Sequence, residues 1–254
     1  MIDEKFLATQ VISIHTWSDT LFSFTVTRPD SFRFTAGQFA RIGILVDGEL
    51  IVRAYSVVSS PYDEYLEFFS IVVPDGAFTS RLQHLQLGDT LYIEKVPYGF
   101  LTLARYQQPA PQDLWLLATG TGVAPFISML QDFKTWEDYQ HIILVYSVRT
   151  AQELAYQDKI AEIKALFADE PAKLTFIPIV TREVVQGALN QRLPQLIASG
   201  ELERVAELKF DVTRSHVMLC GNPQMVEDTK ESLKAIGLTM NRRGEGNIAV
   251  ENYW

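Results

Sequence analysis

The chain has 254 residues, of which 47% are hydrophobic and 21% charged, a composition typical of a globular protein with room for two domains. Its 31 acidic and 22 basic residues give a formal net charge of −9, which argues against a general nucleic-acid-binding protein. The single cysteine excludes intramolecular disulfides, and the four histidines lie far apart in the sequence, so we expect no metal centre. Without a bilayer-length apolar run or a leader-like start, we expect a cytoplasmic protein that does not insert into membranes.

The first hundred residues are rich in Val, Ile, Phe, Tyr and Thr, and turn signals separate the apolar runs. This pattern predicts short strands at 9–18, 21–28, 38–44, 52–58, 65–73 and 90–96. One helix is expected at 79–84. Several short strands with such spacing indicate a closed or sandwiched antiparallel sheet.

The polar stretch at 107–112 contains two prolines and is typical of a linker. After it, strands alternate with helices. Strands are predicted at 114–118, 142–147, 173–180 and 217–219, followed in turn by helices near 125–135, 152–167, 187–199 and 223–236. This alternation favours a parallel sheet with helices on both faces, and we place the two domains at 1–106 and 107–254.

Two features of the first domain could bind a nucleotide cofactor. In a strand, Arg53 and Tyr55 point to one face, so the guanidinium can hold a phosphate while the phenol ring covers a flat heterocycle. The alternative is an edge-strand arginine beside a half-buried tyrosine. The glycine turn at 74–78 leads into a helix that begins near Thr79, where free N–H groups favour an anion. An ordinary helix N-cap is the alternative there.

The second domain contains a glycine turn between a strand and a helix, at 116–125. Such glycines let the backbone approach a pyrophosphate, although Pro125 replaces the third glycine of the common dinucleotide pattern. The next strand ends at Arg149 rather than at an acidic residue, which favours NADP over NAD. Arg182 and Arg192 would each be a solvated surface charge by itself, but together with Arg149 they would make a phosphate clamp.

The carboxyl-terminal part of the chain offers two more candidates. Cys220 follows a strand at the sheet edge where ligands bind, and it could either reach a cofactor or be a small buried hydrophobic residue. The chain ends with Tyr253 and Trp254, two aromatic residues that need burial. They either fill a gap in the core or stack on the ring of a ligand.

Together these motifs, in this order and over nearly the whole chain, resemble the ferredoxin–NADP reductase family, specifically its bacterial flavodoxin and ferredoxin reductases. The resemblance implies a two-domain fold. An N-terminal antiparallel β-barrel would bind FAD, and a C-terminal α/β domain with a parallel sheet would bind NADP(H). The aromatic end of the chain would return to the flavin.

The resemblance also implies roles for individual residues. Arg53 resembles the ligand of the FAD pyrophosphate, Tyr55 the cover of one flavin face, and Ser56 the hydroxyl near flavin N5. The FAD set is Arg53, Ala54, Tyr55, Ser56, Phe69, Ser70, Ile71, Val72, Ala77, Phe78, Thr79, Thr121, Tyr253 and Trp254. The NADP set is Gly120, Gly122, Ser147, Val148, Arg149, Arg182 and Arg192. The catalytic set is Ser56, Cys220, Glu251 and Tyr253, and replacing Tyr253 by serine should tighten nicotinamide binding.

The implied reaction passes a hydride from NADPH to flavin N5, and then single electrons to ferredoxin or flavodoxin. Two alternatives are an NADH-linked reductase component of an oxygenase or cytochrome system, and a flavin-binding electron-transfer subunit of a larger complex. We expect a monomer. Because the chain is acidic, docking of an acidic carrier needs a local basic patch, for which Arg28, Arg33, Arg41 and Lys95 are candidates.

Overall fold

Six antiparallel strands form the first half of the molecule in a computed structural model, which describes residues 3–73, 76, 78–106 and 112–252. The strands are β1 (Phe6–Thr16), β2 (Leu21–Thr27), β3 (Phe39–Val46), β4 (Glu49–Ser56), β5 (Tyr65–Ile71) and β6 (Thr90–Glu94). Their order in the sheet is β4-β3-β6-β1-β2-β5. A short helix, α1 (Thr79–Leu82), lies between β5 and β6.

The two edge strands of this sheet meet and close it into a barrel. Val57, directly after β4, forms an antiparallel bridge with Phe68 of β5, and the Val58 N–H donates to the Glu67 carbonyl at 2.8 Å. Alternating residues such as Leu91 and Ile93 point inward and are fully buried. The predicted antiparallel barrel is therefore confirmed.

Five parallel strands form the second half. They are β7 (Asp113–Thr119), β8 (His141–Val148), β9 (Lys173–Val180), β10 (Ser215–Gly221) and β11 (Ile248–Asn252), in the order β11-β10-β7-β8-β9. The helices are α2 (Ala124–Leu130), α3 (Phe133–Asp138), α4 (Gln157–Leu166), α5 (Leu193–Ala198), α6 (Glu201–Ala206) and α7 (Pro223–Ala235). Separate hydrophobic clusters cover the two faces of the sheet, which explains why its central strands are mainly apolar. The predicted α/β domain is confirmed.

Several elements differ from the sequence prediction. The helix expected at 125–135 breaks into α2 and α3, because the Asp132 carboxylate caps a new helix by accepting from the Lys134 N–H at 3.1 Å. The helix expected at 187–199 is confined to α5, because Leu189 pairs instead with the edge strand β9 at Ile179. Helix α6 and strand β11 were not predicted at all.

An aromatic contact joins the two domains. Tyr156 begins α4 in the left-handed backbone region, at φ 64°, and its ring lies 4.8 Å from that of Trp17 and 5.1 Å from that of Phe69. Its hydroxyl donates to Glu67 Oε1 at 2.8 Å. Nearby, Ser128 donates its hydroxyl to the Ser59 carbonyl at 2.8 Å. These contacts hold the parallel sheet against β5 of the barrel.

Candidate functional site

A cavity of about 380 Å³ lies where the barrel faces the second domain. Strands β4 and β5, the turn before α1, and the end of β11 form its walls. It is lined by Phe39, Arg53, Ala54, Tyr55, Ser56, Phe69, Ser70, Ile71, Val73, Gly76, Phe78, Thr79, Thr121, Glu251 and Asn252. A single cavity therefore brings together residues from five separate stretches of the sequence, at 39, 53–56, 69–79, 121 and 251–252.

Tyr55 forms a fixed aromatic wall of this cavity. Its ring lies 6.2 Å from Phe24 and 5.8 Å from Phe78, and its hydroxyl is 3.1 Å from Ser70 Oγ. Burial raises the pKa of Tyr55 to about 12, so the phenol is neutral at physiological pH. Arg53, two residues earlier on the same strand face, is exposed and lines the same cavity. The strand thus presents a flat ring beside a guanidinium, which suits a cofactor with a planar head and a phosphate.

Two polar oxygens in this cavity lack a partner. Within the described residues, four buried side-chain nitrogen and oxygen atoms make no hydrogen bond, and Ser56 Oγ and Glu251 Oε1 are two of them. Burial raises the pKa of Glu251 to about 7, and nearby Arg105 offsets only part of this effect. Both oxygens are ready to accept or donate a hydrogen bond, so the donor set fits a ligand with polar atoms on a flat ring.

The turn before α1 is held by its own side chains. Thr79 Oγ1 accepts from the Val73 N–H at 3.0 Å and donates to the Val73 carbonyl at 3.3 Å. A Cβ on Gly76 would lie 2.8 Å from Thr79 Oγ1, so only glycine fits this turn without a shift. The turn therefore places backbone groups at the cavity edge.

A second cavity, of about 440 Å³, follows the carboxyl ends of the parallel strands. It is lined by Leu21, Ile71, Thr119, Gly120, Thr121, Ser147, Val148, Arg149, Glu153, Thr181, Arg182, Arg192, Leu193, Pro194, Gly221, Asn222, Gln224, Met225 and Asp228. This edge of an open parallel sheet is where nucleotide ligands bind. Ile71 and Thr121 line both cavities, so the two cavities share a wall.

The glycines in and next to the second cavity have two different functions. Gly120 has φ +53°, and a Cβ there would meet nothing within 4 Å, so the backbone is open to a ligand. A Cβ on Gly122 would lie 2.4 Å from the Cys220 carbonyl oxygen, and one on Gly221 would lie 2.3 Å from Thr119 Oγ1. Gly122 and Gly221 are thus needed for close packing between β7 and β10.

Three arginines line the second cavity, and among the residues that the structure describes only one of them forms an ion pair. Arg149 donates from Nε to Glu153 Oε1 at 2.9 Å, whereas Arg182 and Arg192 make no ion pair within the described chain. The Arg182 N–H donates to the Arg149 carbonyl at 2.9 Å, which places these two residues side by side. The predicted clamp residues therefore lie around one space.

Most of the predicted site residues line one of the two cavities. Among the described residues, three do not: Val72 packs against the barrel core, Gly122 packs against β10, and Cys220 is fully buried in β10 between Ala118 and Glu251. Ala77, Tyr253 and Trp254 lie outside the described residues. Their predicted functions stay predictions.

Sequence reasoning missed several lining residues. Asn222 and Asp228 lie at the start of α7, where the Asn222 side chain caps the helix by accepting from the Gln224 and Met225 N–H groups. The Asn-Pro pair directly after a strand was the available signal for this helix start. Glu153, Thr119 and Phe39 gave no such signal, because only the fold brings them to the cavities.

The proposed basic patch divides into two groups. The Arg28 guanidinium donates to three backbone carbonyls and lies near Arg33. Arg41 pairs with Glu94 at 2.9 Å, next to Lys95 in the sequence. The Glu94 carboxylate offsets the charge of Arg41, and the carbonyl bonds of Arg28 leave fewer of its N–H donors for a carrier protein.

Two family models match the chain, one on each domain. The oxidoreductase FAD-binding domain model matches residues 8–102, and the oxidoreductase NAD-binding domain model matches residues 116–231. The protein is therefore an oxidoreductase with a flavin-binding barrel and a nicotinamide-nucleotide-binding α/β domain. In the described part of the chain, no group of histidine, cysteine and acidic residues could hold a metal ion, and no helix is long and apolar enough to cross a membrane.

Relatives and solved structures narrow this class. The chain is 45% identical over 250 residues to a ferredoxin–NADP reductase of Pseudomonas aeruginosa, with 95% of each chain covered. It is 41% identical over 247 residues to the flavodoxin/ferredoxin–NADP reductase of Escherichia coli, covering 96% and 97% of the two chains. A ferredoxin NADP+ reductase from Neisseria gonorrhoeae, crystallised with FAD and NADP, has a TM-score of 0.92 at 34% identity, covering 98% and 99%. The chain belongs to the ferredoxin–NADP reductase family.

Proposed function

We propose that this enzyme exchanges electrons between NADPH and a one-electron carrier, ferredoxin or flavodoxin, through bound FAD. The observation that carries this proposal is the wall of Ile71 and Thr121 shared by the two cavities. A ring bound in the barrel cavity and a nicotinamide bound in the second cavity would meet there. Ferredoxin and flavodoxin are proposed as the carriers because they appear in the names of the relatives.

In the barrel cavity, Tyr55 supports one face of the isoalloxazine and Arg53 pairs with the pyrophosphate. Phe69, Ser70 and Ile71 line the ring edge, and Phe78 and Thr79 lie at the turn. When bound, FAD accepts a hydride at N5 and passes electrons on singly. The fixed contacts of Tyr55 with Phe24 and Phe78 would keep the ring plane constant between these steps.

In the second cavity, the exposed backbone at Gly120 approaches the pyrophosphate of NADPH. Arg149, Arg182 and Arg192 surround the 2′-phosphate, with Ser147 and Val148 at the adjoining strand end. Charge-assisted hydrogen bonds from guanidinium groups are stronger than neutral ones, so these residues favour NADPH over NADH. An NADH-linked reductase would not need three arginines at this place, because NADH has no 2′-phosphate.

Ser56 and Glu251 act at the place where hydride transfer occurs. Each presents a buried oxygen without a partner at the barrel cavity, so each can hydrogen-bond to the polar edge of the flavin. Cys220 is the register partner of Glu251 in the adjacent strand, and we keep its expected place near the nicotinamide as a part of this proposal. We keep the expected roles of Tyr253 and Trp254, together with a monomeric state and a cytoplasmic location, as parts of this proposal.

An anaerobic titration tests the proposal. The purified holoenzyme should be yellow, and NADPH should bleach its flavin absorption at much lower concentration than NADH. Reduced enzyme should then reduce ferredoxin or flavodoxin. An equal response to both nucleotides would remove the arginine clamp from the proposal, and a protein that cannot be loaded with FAD would overturn it.

A further inference from the structure

Glu153 lies in the second cavity, where an anionic phosphate is expected and a carboxylate would at first be unfavourable. It ends a short 3-10 turn, Ala151–Glu153, which begins two residues after Arg149, the residue that follows β8. Only 14% of its side chain is exposed, against 50% of the Arg149 side chain. Glu153 is therefore the anchored member of this pair and Arg149 the member that reaches into the open space.

The carboxylate contacts Arg149 at both its backbone and its side chain. Oε2 accepts from the Arg149 N–H at 2.9 Å, and Oε1 accepts from Arg149 Nε at 2.9 Å and from Nη2. Burial by itself raises the pKa of Glu153, but the hydrogen bonds from Arg149 bring it below its ordinary value, so the carboxylate is charged at neutral pH.

The segment that carries Glu153 is fixed as well. The Glu153 N–H donates to the Thr150 carbonyl at 3.0 Å, and its carbonyl accepts from the Tyr146 hydroxyl at 3.2 Å. The Ala151 N–H donates to the Glu183 carboxylate. Because Glu153 cannot move far, the guanidinium that it holds is kept in one orientation.

The donors left on Arg149 matter for ligand binding. A guanidinium has five N–H donors, and Glu153 uses one on Nε and one on Nη2. Three donors remain for a phosphate. A half-exposed ion pair of this kind adds little to stability, so its main effect is to orient the arginine.

We propose that Glu153 is a positioning residue that sets the preference for the 2′-phosphate by holding the Arg149 guanidinium at the wall of the second cavity. This inference rests on the proposed arginine clamp and deepens it. It predicts that Glu153 affects only ligands with a 2′-phosphate and acts only through Arg149.

The test measures binding to the oxidised holoenzyme by calorimetry, with adenosine 2′,5′-bisphosphate and adenosine 5′-monophosphate as probes. These probes differ only by the 2′-phosphate. Glu153→Ala should weaken bisphosphate binding about tenfold and leave monophosphate binding within about twofold, since one oriented charged contact is lost. Glu153→Gln, which keeps an acceptor oxygen, should restore most of the affinity. In turnover, KM for NADPH should rise with kcat unchanged.

A double-mutant cycle shows whether the effect passes through Arg149. Adding Glu153→Ala to Arg149→Ala should cause no further loss. Glu201→Ala is the matched control, because it removes an arginine–glutamate pair on α6 that does not line the cavity. It should leave both affinities unchanged.

The remaining outcomes overturn the inference in separable ways. Equal loss for both probes would mean that Glu153 only supports the loop. Tighter bisphosphate binding in Glu153→Ala would mean that the carboxylate opposes the ligand. If Arg149→Ala itself leaves bisphosphate affinity unchanged, Arg149 does not bind the 2′-phosphate and the proposed arginine clamp is wrong. If Arg149→Ala shows selective loss and Glu153→Ala shows none, the clamp stands and only the positioning role fails.

Discussion

The two cavities each contain a glutamate, and the surroundings shift the pKa values of the two carboxyl groups in opposite directions. Glu251, in the barrel cavity, has an oxygen without a partner, and burial raises its pKa to about 7. Glu153, in the second cavity, is also partly buried, but the bonds from Arg149 bring its pKa below the ordinary value. The first cavity thus offers a ligand mainly apolar and aromatic surface, with uncharged polar groups and one exposed arginine, Arg53, whereas the second offers several charged side chains.

The pH dependence of stability should separate the two carboxyls, and this is the largest expected effect. Between about pH 4.5 and 7 the folded protein binds the Glu251 proton more tightly than the unfolded chain, so its contribution to stability falls as the pH rises. The limit is about 3 kcal/mol, at about 1.4 kcal/mol per pKa unit. Glu251→Gln should therefore gain stability relative to the parent as the pH rises from 5 to 8.

The contribution of Glu153 to stability depends on pH with the opposite sign. Its pKa is lower in the folded protein, so its stabilisation is present above the ordinary pKa and is lost as the pH falls through the folded value. Urea unfolding of the parent and of both glutamine variants, with and without saturating FAD, measures the two slopes. The FAD-free protein tests Glu251, because the proposed hydrogen bond to the flavin would change its pKa. If the difference in unfolding free energy between Glu251→Gln and the parent does not change with pH, then burial does not raise the pKa of Glu251.

The charge-based cavity should be sensitive to a reversed charge. Arg149→Glu puts two carboxylates side by side where a phosphate is expected, so kcat/KM for NADPH should fall about 100-fold. The value for NADH should change less than about threefold, and the variant should keep its FAD. Arg204→Glu on α6 is the control for net charge. Equal losses with NADPH and NADH would contradict the assignment of Arg149.

The barrel cavity should be sensitive to loss of a ring instead. Tyr55→Ala removes the aromatic wall, and FAD affinity should fall about tenfold or more through lost stacking and apolar contact. Tyr55→Phe removes only the hydroxyl bonded to Ser70 and should keep nearly all of that affinity. Fluorescence of released FAD measures both variants. A larger loss in the phenylalanine variant would show that the hydroxyl, rather than the ring, matters.

Local sequence patterns predicted the architecture well where one pattern dominates. The central strands β7 and β8 each contain an unbroken run of five apolar residues, and several barrel strands alternate, so both sheets could be predicted. Strand β11 and the start of the helix predicted at 187–199 could not be predicted in this way. Their structure depends on pairing with other strands, β10 for β11 and the end of β9 for Leu189, which a local pattern does not show.

The site was predictable to the extent that ligand-binding residues lie at strand ends. Arg149 and Arg182 follow β8 and β9, and the parallel register brings them together. Gly122 shows what local reasoning misses, because its small size serves packing against Cys220 rather than approach to a ligand. Glu153 shows the same limit, since its importance depends on which arginine it contacts.

Ionic strength gives the smallest of these effects and still distinguishes the cavities. Raising KCl from 0.1 M to 1 M shortens the Debye length from about 10 Å to about 3 Å, which weakens attraction between the half-exposed Arg149 and a phosphate. KM for NADPH should rise several-fold, and KM for NADH should rise less, because NADH lacks the 2′-phosphate. FAD should stay bound, since Tyr55, which we propose covers its ring, is itself held by uncharged aromatic contacts that salt does not screen. A parallel rise of both KM values would mean that the arginines attract the nucleotide only through their general electrostatic field. The charged side chains of the second cavity would then not explain a preference for NADPH over NADH.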